Sequence, residues 1–345
     1  MSSPRASILL IYTGGTIGMK TDPVTGALTP FDFNSIYEEF PYLGKLSVHI
    51  DVLPFTPIDS SNVTPALWVQ LAEIIATHYA HYDGFVILHG TDTMAYSASA
   101  LSFMLENLTK PVVFTGSQIP IGVLRTDGRE NLITAIEIAA AKNEEGRAMV
   151  PEVCICFQNR VLRANRTTKH SAEKLNAFRS DNYPALAEVG VNIHYHFPYI
   201  YKVSDLSAPL TTFTDLEDRV GVIRVFPGLR ADMLEGMLSL PGLQAVVLET
   251  YGSGNAPTAE WFVRAVGEAV SRGLIVMNVT QCHDGAVAMD LYETGCRLKQ
   301  AGVVSGRDIT TESALAKLMV LLGRRLPREE LYRLLIQPIR GEITL

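Results

Sequence analysis

Short, almost entirely apolar segments alternate with amphipathic helical segments in the first half of this 345-residue chain. A strand that is buried on both faces of a sheet is apolar at nearly every position, whereas a surface helix repeats its apolar residues every three to four positions. This order indicates a parallel sheet with helices on both sides. The pattern predicts strands at 7–12, 48–53, 85–88, 111–115 and 153–157 and helices at 65–79, 95–105 and 127–142.

The same alternation returns after a break. Residues 201–218 lose the apolar periodicity and include Pro209 and a threonine-rich patch, so they are predicted to be a linker. We therefore predict two α/β domains, a larger N-terminal parallel-sheet domain at 1–200 and a smaller, Rossmann-like C-terminal domain at 219–345. The second domain is predicted to contain strands at 220–225, 245–248 and 274–279 and helices at 231–240, 259–271, 311–322 and 328–336.

The charge pattern argues against two classes of partner. The chain has 29 Lys and Arg against 36 Asp and Glu, a net charge of −7, and it has no basic run. Nucleic acid is therefore not expected as a partner. No stretch reaches 18 apolar residues, so no membrane span is expected. The first apolar segment is too short for a signal peptide, which favours a cytoplasmic location.

The cysteines and histidines do not suggest a metal site. The four cysteines form no CxxC pair, and Cys154 and Cys156 are predicted to share one buried strand face. The eight histidines include no HExxH motif, and only His194 and His196 could share a strand face as ligands. We therefore predict that no metal is bound.

Small polar residues follow three of the predicted buried strands. Ligands of open parallel sheets bind beyond the carboxyl ends of the strands. There, glycines let the backbone approach a ligand closely, and exposed N–H groups can stabilise an oxyanion. The three segments are Thr13-Gly-Gly-Thr16, His89-Gly-Thr-Asp-Thr93 and Thr115-Gly-Ser-Gln118.

No common cofactor or nucleophile motif occupies these segments. The chain has no GxGxxG after its first strand, no GxxxxGK[ST] and no GxSxG, so no cofactor is predicted. What remains is a set of threonine hydroxyls with Asp92 and Lys169. A threonine hydroxyl needs a positioned base, and a lysine can act as one when its surroundings keep it neutral. Each feature alone is also typical of a turn, a helix cap or a solvated lysine, so only their combination points to catalysis.

With these motifs the chain resembles type I, cytoplasmic L-asparaginases of the bacterial-type asparaginase/glutaminase family. The resemblance extends from about Ile8 to Thr344, and its two threonine motifs are specific as a pair. The matching segments are Tyr12–Met19, Asp59–Ser61, Gly84–Met94, Thr115–Gln118, Asn165–Lys169, Tyr251–Pro257, Thr280–Cys282 and Arg340–Glu342.

The resemblance implies hydrolysis of L-asparagine to L-aspartate and ammonia without metal or cofactor. Thr16 would attack the side-chain amide and form an acyl-enzyme. Thr91, Asp92 and Lys169 would form a second group that moves protons and activates water.

The resemblance also implies a substrate site shared between subunits of a homodimer or homotetramer. Thr91 and Asp92 would contact the substrate, and Asp92 would hold its ammonium group. Ser60 would hold the α-carboxylate, and Ser117 would lie near the side-chain amide. Asn255 would reach the site from a neighbouring subunit.

Two positions depart from the pattern of relatives. Many carry a tyrosine on the loop near Ala27 and Leu28, where this chain has none. Some type I enzymes are activated by asparagine at a second site, which uses an arginine with a cysteine nearby. This chain has Cys282, but Glu249 occupies the arginine position. A carboxylate cannot pair with the effector's carboxylate, so asparagine activation is not expected.

Three alternatives remain. A glutaminase-asparaginase of broader specificity would differ by the fit of one methylene, which is worth only about 1–3 kcal/mol. The amidase subunit of a tRNA-dependent amidotransferase would carry a further N-terminal domain, and only 12 residues precede Thr13. A non-catalytic amino-acid-binding protein on the same scaffold would not require a nucleophile together with a base.

Overall fold

The computed structural model describes residues 5–21, 28–30, 41–53 and 55–345. The chain divides into two compact units, Met1–Thr212 and Phe213–Leu345. Residues 211–212 pair with residues 105–106 as a two-stranded antiparallel sheet. Residues 201–212 of the segment predicted to be a linker therefore belong to the first unit.

The first unit contains a large sheet with helices, together with several short strands. Its described elements are β1 (Ala6–Tyr12), β2 (Met19–Thr21), β3 (Leu28–Pro30), β4 (Val48–Leu53), α1 (Pro65–His78), β5 (Gly84–Leu88), α2 (Met94–Met104), β6 (Leu105–Glu106), β7 (Val112–Thr115), α3 (Gly128–Ala140), β8 (Val153–Phe157), β9 (Arg160–Arg163), β10 (Thr168–Lys169), β11 (Phe178–Arg179), β12 (Ala187–Val189), β13 (Ile193–Tyr195) and β14 (Thr211–Thr212).

The large sheet has the strand order β13-β12-β9-β8-β7-β5-β1-β4. The strands β4, β1, β5, β7 and β8 are parallel, as predicted. The sheet then continues with the antiparallel strands β9, β12 and β13, which the prediction did not include. The reversal occurs at a two-residue hairpin, where Gln158 and Asn159 both have positive φ, 45° and 63°. Such a turn matches the twist of antiparallel strands, but it lacks the usual Asn-Gly signal.

The central strands are buried on both faces, which explains their uniformly apolar sequences. In β1, Ile8 and Leu10 are 0% exposed and belong to the core cluster that includes Leu132 and Ile136 of α3. The intervening residues, Leu9 and Ile11, are 2% and 0% exposed. The sheet therefore has no solvated face here, and polar groups are confined to the ends of its strands.

The second unit is a four-stranded parallel sheet in the order β15-β16-β17-β18, which confirms the predicted α/β class. Val246 and Leu248 of its second strand join one core cluster, and Ala245 and Val247 join another, so both faces are covered. Its elements are β15 (Val220–Arg224), α4 (Ala231–Leu238), β16 (Ala245–Thr250), α5 (Glu260–Ser271), β17 (Ile275–Thr280), α6 (Glu293–Gln300), β18 (Val304–Ser305), α7 (Thr311–Gly323) and α8 (Arg328–Ile336).

A buried ion pair anchors the end of the chain in the second unit. Lys317 Nζ lies 2.5 Å from Glu342 Oε1, and both side chains are 0% exposed. The ammonium group also donates to the carbonyls of Leu335 and Gln337. Burial lowers the pKa of Lys317, whereas the neighbouring carboxylate opposes this shift. Each charge depends on the other, because both side chains are fully buried.

Substitution of one member of this pair should be strongly destabilising. Lys317→Met leaves the Glu342 carboxylate buried without its cation, so we expect a loss of about 3–5 kcal/mol. Lys317→Met combined with Glu342→Gln should recover part of that loss. Calorimetric unfolding midpoints measure both effects. The control is Arg230→Met in an exposed pair with Asp232, which should leave the midpoint unchanged. A Lys317→Met midpoint equal to that of the control would contradict this account.

A chain of buried hydrogen bonds holds the backbone just beyond β5. Trp68 Nε1 donates to Ser97 Oγ at 2.9 Å, and Ser97 Oγ lies 3.0 Å from His89 Nε2. The other ring nitrogen, Nδ1, lies 2.7 Å from the Gly90 carbonyl oxygen. Because the tryptophan only donates and the carbonyl only accepts, Ser97 donates to Nε2 and Nδ1 carries the proton. Burial lowers the pKa of His89 to about 4, so the ring is neutral.

This histidine makes the stability of the first unit depend on pH. Its pKa is about 4 in the folded chain against an ordinary value of 6.5. The unfolded chain therefore binds a proton below pH 6.5, whereas the folded chain does so only near pH 4. Stability should fall by about 3 kcal/mol as the pH decreases through this interval.

Urea midpoints of His89→Gln between pH 6.5 and 4.5 test this contribution. The urea midpoint of the variant should fall less steeply with decreasing pH, because the glutamine side chain does not titrate. The matched control is His81→Gln, an exposed position that should keep the slope of the unaltered chain. If His89→Gln has the same slope as the unaltered chain, the assignment is wrong.

Candidate active site

Three loops leave the large sheet side by side at the carboxyl ends of β1, β5 and β7. Tyr12 is in register with Leu88, and Leu88 is in register with Thr115. The ladder continues one residue further, because Thr13 N donates to Leu88 O and His89 N donates to Thr115 O, both at 2.9 Å. The three polar segments singled out in the sequence therefore emerge at one edge of the sheet.

Glycines allow these loops to touch through their backbones. Gly14 and Gly15 have φ values of 124° and 91°, which side chains rarely adopt. A Cβ atom on Gly15 would lie 2.5 Å from the Cα of Gly90, and one on Gly14 would collide with the Ile58 carbonyl. A Cβ atom on Gly90 would lie 2.5 Å from Ser60 Oγ. The loops that carry the candidate residues thus meet where only glycine fits.

Thr16 and Thr91 each follow one member of the Gly15–Gly90 contact. Thr16 is the first residue of a short 3₁₀ helix, Thr16–Gly18, and it is exposed. None of the residues that the structure describes forms a hydrogen bond with its hydroxyl group. Thr91 is half-buried, and its hydroxyl donates to Gln118 Oε1 at 3.2 Å.

Lys169 connects Thr91 with Asp92. Its Nζ donates to Thr91 Oγ1 at 2.8 Å and to Asp92 Oδ1 at 2.7 Å. The lysine side chain is 18% exposed, whereas the Asp92 side chain is 65% exposed. Lys169 is held in β10 by antiparallel pairing with Phe178 of β11. A hydroxyl, a carboxylate and an ammonium group are therefore in direct contact, with the carboxylate open to solvent.

Ser60 lies against the same backbone contact from a fourth loop. It is 5% exposed, and its carbonyl oxygen accepts a hydrogen bond from Thr93 Oγ1 at 2.8 Å. The preceding Asp59 caps this turn, because Oδ1 accepts from the Ser61 N–H group at 2.8 Å. This hydrogen bond lowers the pKa of Asp59. The turn fixes the Ser60 position next to the two threonine loops.

Ser117 is 1% exposed, and its hydroxyl has no hydrogen-bond partner within the described ranges of the chain. A buried polar group without a partner is uncommon in a native fold. Its position in the third loop, one residue before the Thr91 partner Gln118, leaves a polar atom available beside the candidate site.

The other predicted residues lie elsewhere. Asn255 belongs to the second unit, where its backbone pairs with Tyr251. Glu249 also lies there, and Oε1 accepts from Thr311 Oγ1 at 2.7 Å. Ala27 and the Leu28 side chain, where relatives carry the lid tyrosine, lie outside what the structure describes.

Asp127 organises the third loop, and the sequence interpretation did not single it out. Its carboxylate accepts from the backbone N–H groups of Gln118 and Ile119 at 3.0–3.2 Å. Asn131 donates both to Asp127 and to the Gly116 carbonyl. Asp127 directly precedes α3, where an acidic residue suggests an ordinary helix cap, so no local pattern indicated its contacts with residues 118–119.

The described part of the chain contains no group of three or more His, Cys, Asp or Glu side chains arranged to hold a metal ion. Within that part, no helix is long and apolar enough to cross a membrane.

Two family profiles match most of the chain. Residues 7–201 match the profile described as "Asparaginase, N-terminal", and residues 219–335 match the "Glutaminase/Asparaginase C-terminal domain". L-asparaginase 1 of Escherichia coli K12 is 43% identical over 353 residues, covering 99% of this chain and 98% of that protein. A mouse protein named 60 kDa lysophospholipase is 42% identical over 365 residues. This match covers 99% of the chain but only 63% of the mouse protein.

The fold is also similar to solved structures. The crystal structure of L-asparaginase I from Vibrio cholerae has a TM-score of 0.89 and 41% sequence identity, with 99% of this chain and 100% of that chain covered. Family profiles, full-length sequence similarity and fold agree. The chain therefore belongs to the asparaginase family.

Proposed function

We propose that this chain is an L-asparagine amidohydrolase that releases L-aspartate and ammonia through an acyl-enzyme on Thr16. The observation that carries the proposal is that Lys169 contacts both Thr91 and Asp92. Thr91 lies one residue beyond the Gly15–Gly90 contact. Two threonine hydroxyls, a base and a carboxylate at one sheet edge suit acyl transfer. Membership of the asparaginase family supports the same reaction.

The different surroundings of the two threonines favour Thr16 as the nucleophile. Thr16 is exposed, and its hydroxyl is unengaged among the described residues. The Thr91 oxygen instead accepts a hydrogen bond from Lys169 and adjoins the Asp92 carboxylate. The Asp92 carboxylate, which Lys169 also contacts, offsets the stabilisation that the ammonium group would give to an oxyanion on Thr91. Thr91 therefore fits proton transfer better than attack.

The proposed reaction has two stages. Thr16 Oγ1 bonds to the amide carbon while its proton moves to the leaving nitrogen, so the C–N bond breaks and ammonia departs. Water then attacks the ester as the Thr91–Lys169 group accepts one of its protons. The ester C–O bond breaks, the proton returns to Thr16 Oγ1, and L-aspartate leaves.

Asp92 is proposed to connect substrate binding with this proton transfer. Its side chain is 65% exposed, so the substrate's ammonium group can reach it while Lys169 holds Oδ1. Asp92 would thereby hold the substrate while it stays in contact with Lys169, so one carboxylate joins substrate binding to the Thr91–Lys169 group.

Ser60 and Ser117 complete the proposed substrate site. Ser60 would bind the α-carboxylate through its hydroxyl and nearby N–H groups, as the family resemblance implies. The unpartnered Ser117 hydroxyl would contact the side-chain amide. Asn255 would enter the site from a neighbouring subunit, so the active form is proposed to be a homodimer or homotetramer, in the cytoplasm. We also retain residues 201–218 as the proposed connection between domains 1–200 and 219–345.

Ammonia release from L-asparagine and L-glutamine tests this function. We expect kcat/KM to be much higher for L-asparagine. Equal values for the two amides would instead support a broader glutaminase-asparaginase. No ammonia from either would leave an amino-acid-binding protein as the better interpretation.

Removal of either threonine hydroxyl should lower kcat by about 10³-fold or more, because the two hydroxyls serve one reaction. Thr16→Ala with Thr91→Val should be little worse than the poorer single variant. The matched control is Thr77→Val, at an exposed position on α1, which should keep full activity. Full activity in Thr91→Val would contradict the proposed proton-transfer group.

The response to asparagine concentration should be hyperbolic. Glu249 is a carboxylate where the activated relatives carry an arginine, so it repels an effector carboxylate instead of pairing with it. Its oxygens are already engaged by Thr311 and, at 3.5 Å, by Arg224. Initial rates over a wide concentration range give the Hill coefficient. A coefficient above about 2 that Cys282→Ser abolishes would show that an activating site operates without the arginine.

A further inference from the structure

The Gln118 side chain lies between Thr91 and the segment that follows Lys169. Its Nε2 donates to the carbonyl oxygens of Ala172 and Lys174 at 3.2 and 3.3 Å, and its Oε1 lies 3.2 Å from Thr91 Oγ1. Both carbonyls only accept hydrogen bonds, so the amide nitrogen must face them. The amide oxygen must therefore face Thr91.

This orientation determines the direction of the Thr91 hydroxyl proton. The Lys169 ammonium group can only donate, so the Thr91 oxygen accepts from it. The single hydroxyl proton is then directed to Gln118 Oε1. The Thr91 oxygen therefore faces Lys169 while the Gln118 amide oxygen accepts its proton. The glutamine thus fixes the Thr91 rotamer in which the hydroxyl oxygen and the lysine nitrogen lie 2.8 Å apart.

Gln118 is itself held in place from the backbone side. Its N–H group donates to both carboxylate oxygens of Asp127, at 3.1 and 3.2 Å, and Asp127 is 4% exposed. One end of the residue is therefore fixed to a buried carboxylate, and the other bridges two loops. A residue fixed at both ends can hold the Thr91 hydroxyl group at a constant position relative to Lys169.

We propose that Gln118 is a positioning residue that orients the Thr91 hydroxyl and ties Thr91 to the loop beyond Lys169. This inference rests on the proton-transfer role proposed above for Thr91 and Lys169. Gln118 acts through Thr91, so its contribution should disappear when the Thr91 hydroxyl is absent.

A double-mutant cycle tests this dependence. Gln118→Met should lower kcat by about 10-fold or more and change KM by less than about 3-fold, because it removes the contact with Thr91. Adding Gln118→Met to Thr91→Val should cause no further loss. The matched control is Gln70→Met, at an exposed position on α1, which should retain full kcat. Equal losses in the presence and absence of the Thr91 hydroxyl would overturn the inference.

If Thr91→Val is fully active, the proposed function fails; if only Gln118→Met behaves like the unaltered chain, this inference alone fails.

Discussion

The arrangement of the site depends on the backbone contact between Gly15 and Gly90. β1 and β5 are adjacent parallel strands, so the loops that leave them begin in register. A side chain on Gly15 would force these loops apart, because its Cβ atom would lie only 2.5 Å from the Gly90 Cα, and a Cβ atom on Gly90 would collide with Ser60 Oγ. The contact places Thr16 and Thr91 one residue beyond it on neighbouring loops. The buried ring of His89 donates from Nδ1 to the Gly90 carbonyl oxygen and holds this part of the backbone in place.

Thr16 and Thr91 carry the same hydroxyl group, but the charges around the two groups differ. Lys169 and Asp92 place a cation and an anion near Thr91, whereas the hydroxyl group of Thr16 forms no hydrogen bond with the described residues. The exposed carboxylate of Asp92 can receive a substrate ammonium group without displacing the lysine. In the proposed mechanism, one ion pair would therefore serve both substrate recognition and proton transfer.

The sequence predicted those parts of the fold that follow from local patterns. Uniformly apolar segments identified the central strands, and the structure confirms the α/β class and their parallel order. The antiparallel edge was missed because it depends on a turn at Gln158 and Asn159 without a glycine. The sequence pattern also predicts no strand at residues 168–169, because a two-residue strand is stabilised only by its distant partner at 178–179. The position of Lys169 beside Thr91 could therefore be inferred from the family resemblance but not from local periodicity. Neither the resemblance nor local periodicity predicted the contacts of Gln118, because they join three separate loops.

The central claim is that Thr16, and not Thr91, carries the acyl group during turnover. The most direct measurement is acid quenching of the chain during turnover of L-asparagine, followed by proteolysis and mass spectrometry of the two threonine peptides. The account predicts an aspartyl ester on Thr16 in the unaltered chain and no ester in Thr16→Ala. An ester on Thr91 in the unaltered chain, with none on Thr16, would contradict it.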